Sequence, residues 1–165
     1  MKKIIDFLIP SVFAMLILLC GVDRPGGALA ADFKFEPSLT LSEEFNDNIY
    51  LTRTNRKSDF ITGITPAARL LLDDPSLYAN ILGAYTYRIY ARNTVQSNNP
   101  FYFNGLARAA LISNNLYLEV SDIYQKVSLD PAQNFARESS FVNQTDSNVF
   151  TVHPYLVLRP TSLLT

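Results

Sequence analysis

One histidine and one cysteine in 165 residues limit the chemistry this chain can do. Their number alone excludes a Cys/His zinc site and a disulfide scaffold. Cys20 falls in an apolar run near the start, which removes a self-contained Cys–His dyad as well. A lone His153 cannot argue for a Ser-His-Asp arrangement, and on a strand such a residue is more often a pore-lining or interfacial side chain. Glu43 and Glu44 are adjacent, so on a strand they point to opposite faces and cannot act as a carboxylate pair. Asp73-Asp74 precedes Pro75-Ser76 and reads as turn chemistry. Asn46-Asp47-Asn48 has the look of a calcium loop without its glycine and terminal glutamate. Side chains that satisfy their own backbone are the better reading there. No catalytic residue, cofactor or metal is expected, and the chain reads as a non-enzyme.

Charge narrows the partners. The net charge is −1, and the densest basic cluster is Arg53–Lys57, so a nucleic-acid partner is not expected. Trp is absent and Gly scarce, while Tyr and Phe number 9 and 11.

Residues 1–30 have the layout of a signal peptide. Met1-Lys2-Lys3 is a basic start, Ile4–Val22 is apolar apart from Asp6 and Pro10, and Ala28-Leu29-Ala30 supplies small residues before a cut between Ala30 and Ala31. A retained anchor is the alternative, since Ile4–Val22 is almost long enough to span. Acylation at Cys20 is a second, but Leu19 stands where a small residue is wanted. Every version takes the chain out of the cytoplasm. Residues 31–165 then carry 11 basic and 13 acidic side chains, no Cys and all nine Tyr. No run in that segment approaches the roughly 18 apolar residues of a membrane helix.

Period-2 alternation dominates the segment. Phe33, Phe35, Pro37, Leu39, Leu41 and Phe45 share one parity, broken only by Glu43, opposite Lys34, Glu36, Ser38, Thr40, Ser42 and Glu44. Similar runs cover 59–72, 77–90, 101–112, 116–127 and 150–159. The fifth loses phase near Asp122-Ile123, which predicts a β-bulge there. Short turns at Asp73–Ser76 and Ser113–Asn115 alternate with longer polar loops at 46–58, 91–100 and 129–147. Strands of this length with that rhythm predict an all-β fold, an antiparallel up-and-down transmembrane β-barrel in the bacterial outer membrane. Its partner would be outer-membrane lipid.

Two sets of residues follow from that expectation. Phe45, Phe60, Tyr85, Tyr87, Phe101, Phe103 and Phe150 collect near the long-loop ends and are candidates for an aromatic girdle at the membrane interface. β-propensity alone accounts for their presence but not for a common height. Arg69, Arg88, Arg108, Glu119, His153 and Arg159 have the opposite parity and are candidate lumen-lining residues. Arg69, Arg108 and Arg159 could form a basic ring for anionic solutes. Ordinary charge balance with Glu36 and Glu119 is the plainer account. Alternation by itself also fits a soluble periplasmic β-sandwich acting as a binding or assembly module.

The run Leu41-Ser42-Glu43-Glu44-Phe45-Asn46-Asp47-Asn48-Ile49-Tyr50-Leu51-Thr52, then Ser58-Asp59-Phe60-Ile61-Thr62 and Thr65-Pro66, resembles the amino-terminal region of outer-membrane β-barrel porins found with exosortase/PEP-CTERM and exopolysaccharide loci. Asn143-Gln144-Thr145-Asp146 before Val152-His153-Pro154 looks like a looser second copy of the same unit. The resemblance implies a Gram-negative outer-membrane protein serving polysaccharide export or surface assembly, with polysaccharide or export-machinery proteins as partners. It carries over no catalytic residue. Those barrels are generally longer than this chain. Residues 31–165 are therefore expected to form the N-terminal part of a barrel domain, about six strands of an incomplete barrel.

Overall fold

Alternating strands can all bury or expose the same side only if neighbours meet in a register that keeps like parities together. The computed structural model, which describes residues 32–95, 99–112, 115–130 and 143–158, meets that condition in every strand pair. It contains β1 (Asp32–Asn46), β2 (Asp59–Asp74), β3 (Leu77–Tyr85), β4 (Tyr87–Tyr90), β5 (Phe101–Ile112), β6 (Leu116–Ser128) and β7 (Gln144–Leu156). All seven belong to one antiparallel sheet in the order β1-β2-β3-β5-β6-β7, with β4 beside β2. Among the described residues there is no helix.

β3 and β4 are two parts of a single pass. Ala67↔Ala84 and Ile64↔Tyr87 lie on one unbroken register along β2. The gap between them falls where Pro66, which has no N–H, would have to donate to the ladder. The sequence pattern, which counts one run over 77–90, thus corresponds to six passes of chain.

Two expectations need correction. β6 keeps one register with β7 from Leu116↔Leu156 to Ser128↔Gln144, so there is no bulge at Asp122-Ile123. The irregularity sits in β5, between Ala110 and Ile112, beside the turn. Phase is lost in β6 because its side chains change, not its backbone: Asp122, Lys126 and Ser128 occupy the parity held lower down by Leu118 and Val120. For the same reason β7 begins at Gln144, inside what the polarity of 129–147 marks as loop. Gln144, Asp146 and Ser147 face Ser128, Lys126 and Gln125 on β6, and Thr145 faces Val127.

Every apolar-parity residue lies on one face of the sheet, here the apolar face. Glu43, the exception in β1, is opposite Thr62, whose hydroxyl donates to Glu43 Oε1 at 2.9 Å. In the middle strands this face is closely packed: Ala79 and Ala107 are buried, with Leu72 and Ile81 against them. On the outer strands it is bare. Phe33, Leu39 and Leu41 are 62%, 65% and 70% exposed, and Val152 and Leu156 of β7 are also exposed. Substantial contacts between elements are confined to hydrogen-bonded neighbours, so the second sheet of a sandwich has no counterpart among the described residues. β1 and β7 form the two edges of the sheet.

Candidate functional site

The polar face carries three zones, each built by cross-strand neighbours. At the long-loop end, Asp59 opens β2 and is fully buried. Its Oδ1 accepts from Phe60 N at 2.8 Å and Arg92 N at 2.8 Å. Its Oδ2 accepts from Thr94 N at 3.2 Å and Thr94 Oγ1 at 2.6 Å. Asn93, between those donors, has φ 53°, a left-handed conformation that Asn tolerates well. Burial pushes the Asp59 carboxyl up, but the hydrogen bonds from Thr94, Arg92 and Phe60 outweigh it and hold the group below the ordinary aspartate range. Asp59 stands on the loop side of Phe60, outside the apolar band. Beside it Ile49, Ile61 and Tyr90 form a small buried cluster with Val95 against it. The 46–58 loop is laid down there by its own side chains. Asn48 N donates to Asn46 Oδ1 at 2.9 Å and Thr52 N to Asn48 Oδ1 at 3.0 Å, as the carboxamide reading of Asn46-Asp47-Asn48 anticipates.

Further down, a cleft of about 510 Å³ is lined by Thr40, Ser42, Thr65, Thr86 and Arg88, among others. Thr65 and Thr86 share a hydroxyl–hydroxyl hydrogen bond of 2.9 Å. Gly63 lies beside it, where a Cβ would meet Ser42 Oγ and turn that side chain aside.

At the short-turn end the ladder row Asp73↔Tyr78↔Arg108↔Glu119↔His153 crosses the sheet. The Arg108 guanidinium lies 5.5 Å over the Tyr78 ring. In the adjacent row Ala110, Tyr117 and Tyr155 are neighbours, and the two tyrosine rings stack at 5.1 Å and 14°. His153 leans on Tyr155 at 5.6 Å. Between these groups lies a second cleft, of about 420 Å³.

The residues singled out from sequence fall as follows. Arg69, Arg88, Arg108, Glu119 and His153 all lie on the polar face; Arg159 lies outside the described residues. The structure supports charge balance for Arg69, whose Nη1 is 3.8 Å from Glu36 Oε2 and whose Nε donates to Asn80 Oδ1 at 2.9 Å. Arg108 is directly opposite Glu119. All seven girdle candidates lie on the apolar face, and Phe45 and Phe60 are in contact at 4.8 Å. They do not share one ladder row. Followed back to β1, Phe60 is in the row of Phe45, Tyr87 in that of Leu41, Phe103 in that of Pro37 and Phe150 in that of Phe35. The band steps down in one direction by ten residues across five strand-to-strand steps, two per step. Strands ~4.8 Å apart and tilted at ~45° need a step of about 1.5 residues per strand for points at one level. Ala30 and Ala31, the expected cleavage site, lie outside the described residues.

Sequence reasoning missed the tyrosine cluster. Tyr78, Tyr117 and Tyr155 have the polar parity, which is legible, but the stack of Tyr117 on Tyr155 and the place of Tyr78 one row away on the same cleft depend on three separate strand registers. Among the described residues no group of three or more His, Cys, Asp or Glu side chains is placed to hold a metal ion. Comparison with protein-family models, with curated proteins and with solved structures finds no match to this chain.

Proposed function

We propose that this chain is a porin-like, non-catalytic part of an outer-membrane β-barrel, whose apolar face meets lipid and whose polar face lines water. One observation carries the reading. The apolar face of the outer strands is bare along β1 from Phe33 to Phe45, and along the half of β7 from Phe150 to Leu156. An exposed apolar surface of that extent marks a membrane or a partner. Strands of 12 to 16 residues in β1, β2, β5, β6 and β7 exceed the roughly 9–11 that cross a bilayer at a tilt. The stepped aromatic band supports the same reading. On the apolar face of β6, Lys126 stands above the lipid band in this account, while Asp122, directly opposite Phe150, lies in the row of the girdle, buried and accepting from Asn148 Nδ2 at 2.8 Å. The edges of β1 and β7 run antiparallel, so further strands or a second copy can pair with them and satisfy backbone groups that hydrocarbon cannot. The resemblance to exopolysaccharide-associated porins points to polysaccharide export or surface assembly as the setting.

Fractionation tests the proposal. The mature chain should sediment with the outer membrane and require detergent for extraction. Recovery as a soluble periplasmic monomer would refute it and favour a small binding or assembly module.

A further inference from the structure

We infer that the cleft at the short-turn end of the polar face is a binding subsite for a neutral pyranose saccharide. The inference rests on the reading above in one respect, that this face is open to water. Its walls are aromatic. Tyr117, backed by Tyr155 in a near-parallel stack, forms one side, and Tyr78 forms the other. Ala110 and Ser76 leave low ground between them, held together by a hydrogen bond of 2.8 Å from Ala110 N to Ser76 O. The volume of about 420 Å³ lies within the range of small-molecule clefts.

The chemistry selects the ligand class. A tyrosine ring has a negative face and a positive edge, and it attracts the weakly positive C–H groups on the flat side of a pyranose ring. Polar groups then meet the sugar's equatorial hydroxyls. Arg108 can donate, the carboxylate of Asp73 can accept, and Ser76 Oγ already donates to Asp74 Oδ1 at 2.6 Å, which fixes that carboxylate at the rim. A purely apolar ligand would strand these groups. An acidic ligand is disfavoured too, because among the described lining residues Arg108 is the one cation, against the two carboxylates of Asp73 and Asp74. The competing account is that Tyr117 and Tyr155 are a cross-strand pair that only stabilises the sheet.

Titration of the detergent-purified full chain with cellohexaose, maltohexaose and mannohexaose, followed by calorimetry, separates the two. At least one neutral hexasaccharide should bind saturably, and more tightly than hexagalacturonate. Tyr117→Ala and, on another strand, Tyr78→Ala should each weaken binding about tenfold or more. Tyr117→Phe, which keeps the ring, should stay within about threefold of the parent. Far-UV circular dichroism checks that each variant retains its strands, and two variants on opposite walls guard against one misfolding. The inference is overturned if no neutral hexasaccharide binds the folded chain, if hexagalacturonate binds better, or if both alanine variants bind like the parent. Membrane fractionation is read independently, so a chain that inserts correctly but binds no saccharide loses this site and keeps its place in the membrane.

Discussion

Replacing Asp59 with Ala should detach the segment after β4 from the start of β2. In the folded chain the carboxylate accepts four hydrogen bonds, three of them from Arg92 and Thr94 more than thirty residues away. Phe60 N is an adjacent donor at the strand end and can turn to water, so its loss counts for little. The other three, at about 1.5 kcal/mol each, the lower end for bonds to a charged acceptor, give a loss of about 4–5 kcal/mol. Asp59→Asn keeps Oδ1 but presents an amide to Thr94's two donors, and should lose about 2 kcal/mol. Thr94→Val removes one of those bonds and should lose about 1 kcal/mol. Combined with Asp59→Ala it should add almost nothing, because the shared bond is already gone. With no Trp in the chain, urea unfolding is followed by tyrosine emission and circular dichroism. Trypsin supplies a local readout, since cleavage after Arg92 should accelerate in Asp59→Ala well before global unfolding. The pH dependence has a definite sign. Because the folded carboxyl lies below its ordinary value, its contribution is complete above the unfolded aspartate value of about 3.9 and is lost as pH falls through the lower folded one. Asp59→Asn should lack that acid-side loss. If Asp59→Ala unfolds within about 0.5 kcal/mol of the parent and leaves Arg92 cleavage unchanged, the corner does not hold the loop and the reasoning fails.

Three further outcomes are expected. Leu70→Arg, Ile81→Arg and Leu156→Arg should each impair membrane assembly, by about 2–4 kcal/mol where the site lies near the midplane, whereas Asn80→Arg and Thr151→Arg on the polar face should assemble normally. Equal behaviour of the two sets in a heat-modifiability assay would reverse the assignment of faces. Intact mass of the exported chain should place its first residue at Ala31, and a retained leader or an acylated Cys20 would contradict the reading of residues 1–30. Lys126→Ala, which removes an exposed ion pair with Asp146 of 2.9 Å, should change unfolding free energy by under about 1 kcal/mol.

The faces of this protein are written in its alternation. The odd-numbered residues from Phe33 to Phe45, from Leu77 to Tyr85 and from Phe101 to Ala109 lie on one side of the sheet because successive strand residues must point oppositely, a local rule that needs no partner. Turn positions are equally local: Ser76 N donates to Asp74 Oδ1 at 2.9 Å as Asx chemistry requires. What lies beside what is not local. Lys126 meets Asp146, and Asp122 accepts from Asn148 Nδ2 at 2.8 Å, because β6 and β7 pair at one register across a segment whose polarity alone reads as loop. Polar residues make a strand there because the β6–β7 register brings Lys126 to Asp146 and Asn148 to Asp122. The row of Ala110, Tyr117 and Tyr155 and the grip of Asp59 on Thr94 arise in the same way. Parity follows from one residue's place in its own strand, whereas adjacency depends on register, and register is set by the summed pairing of whole strands far apart in the chain.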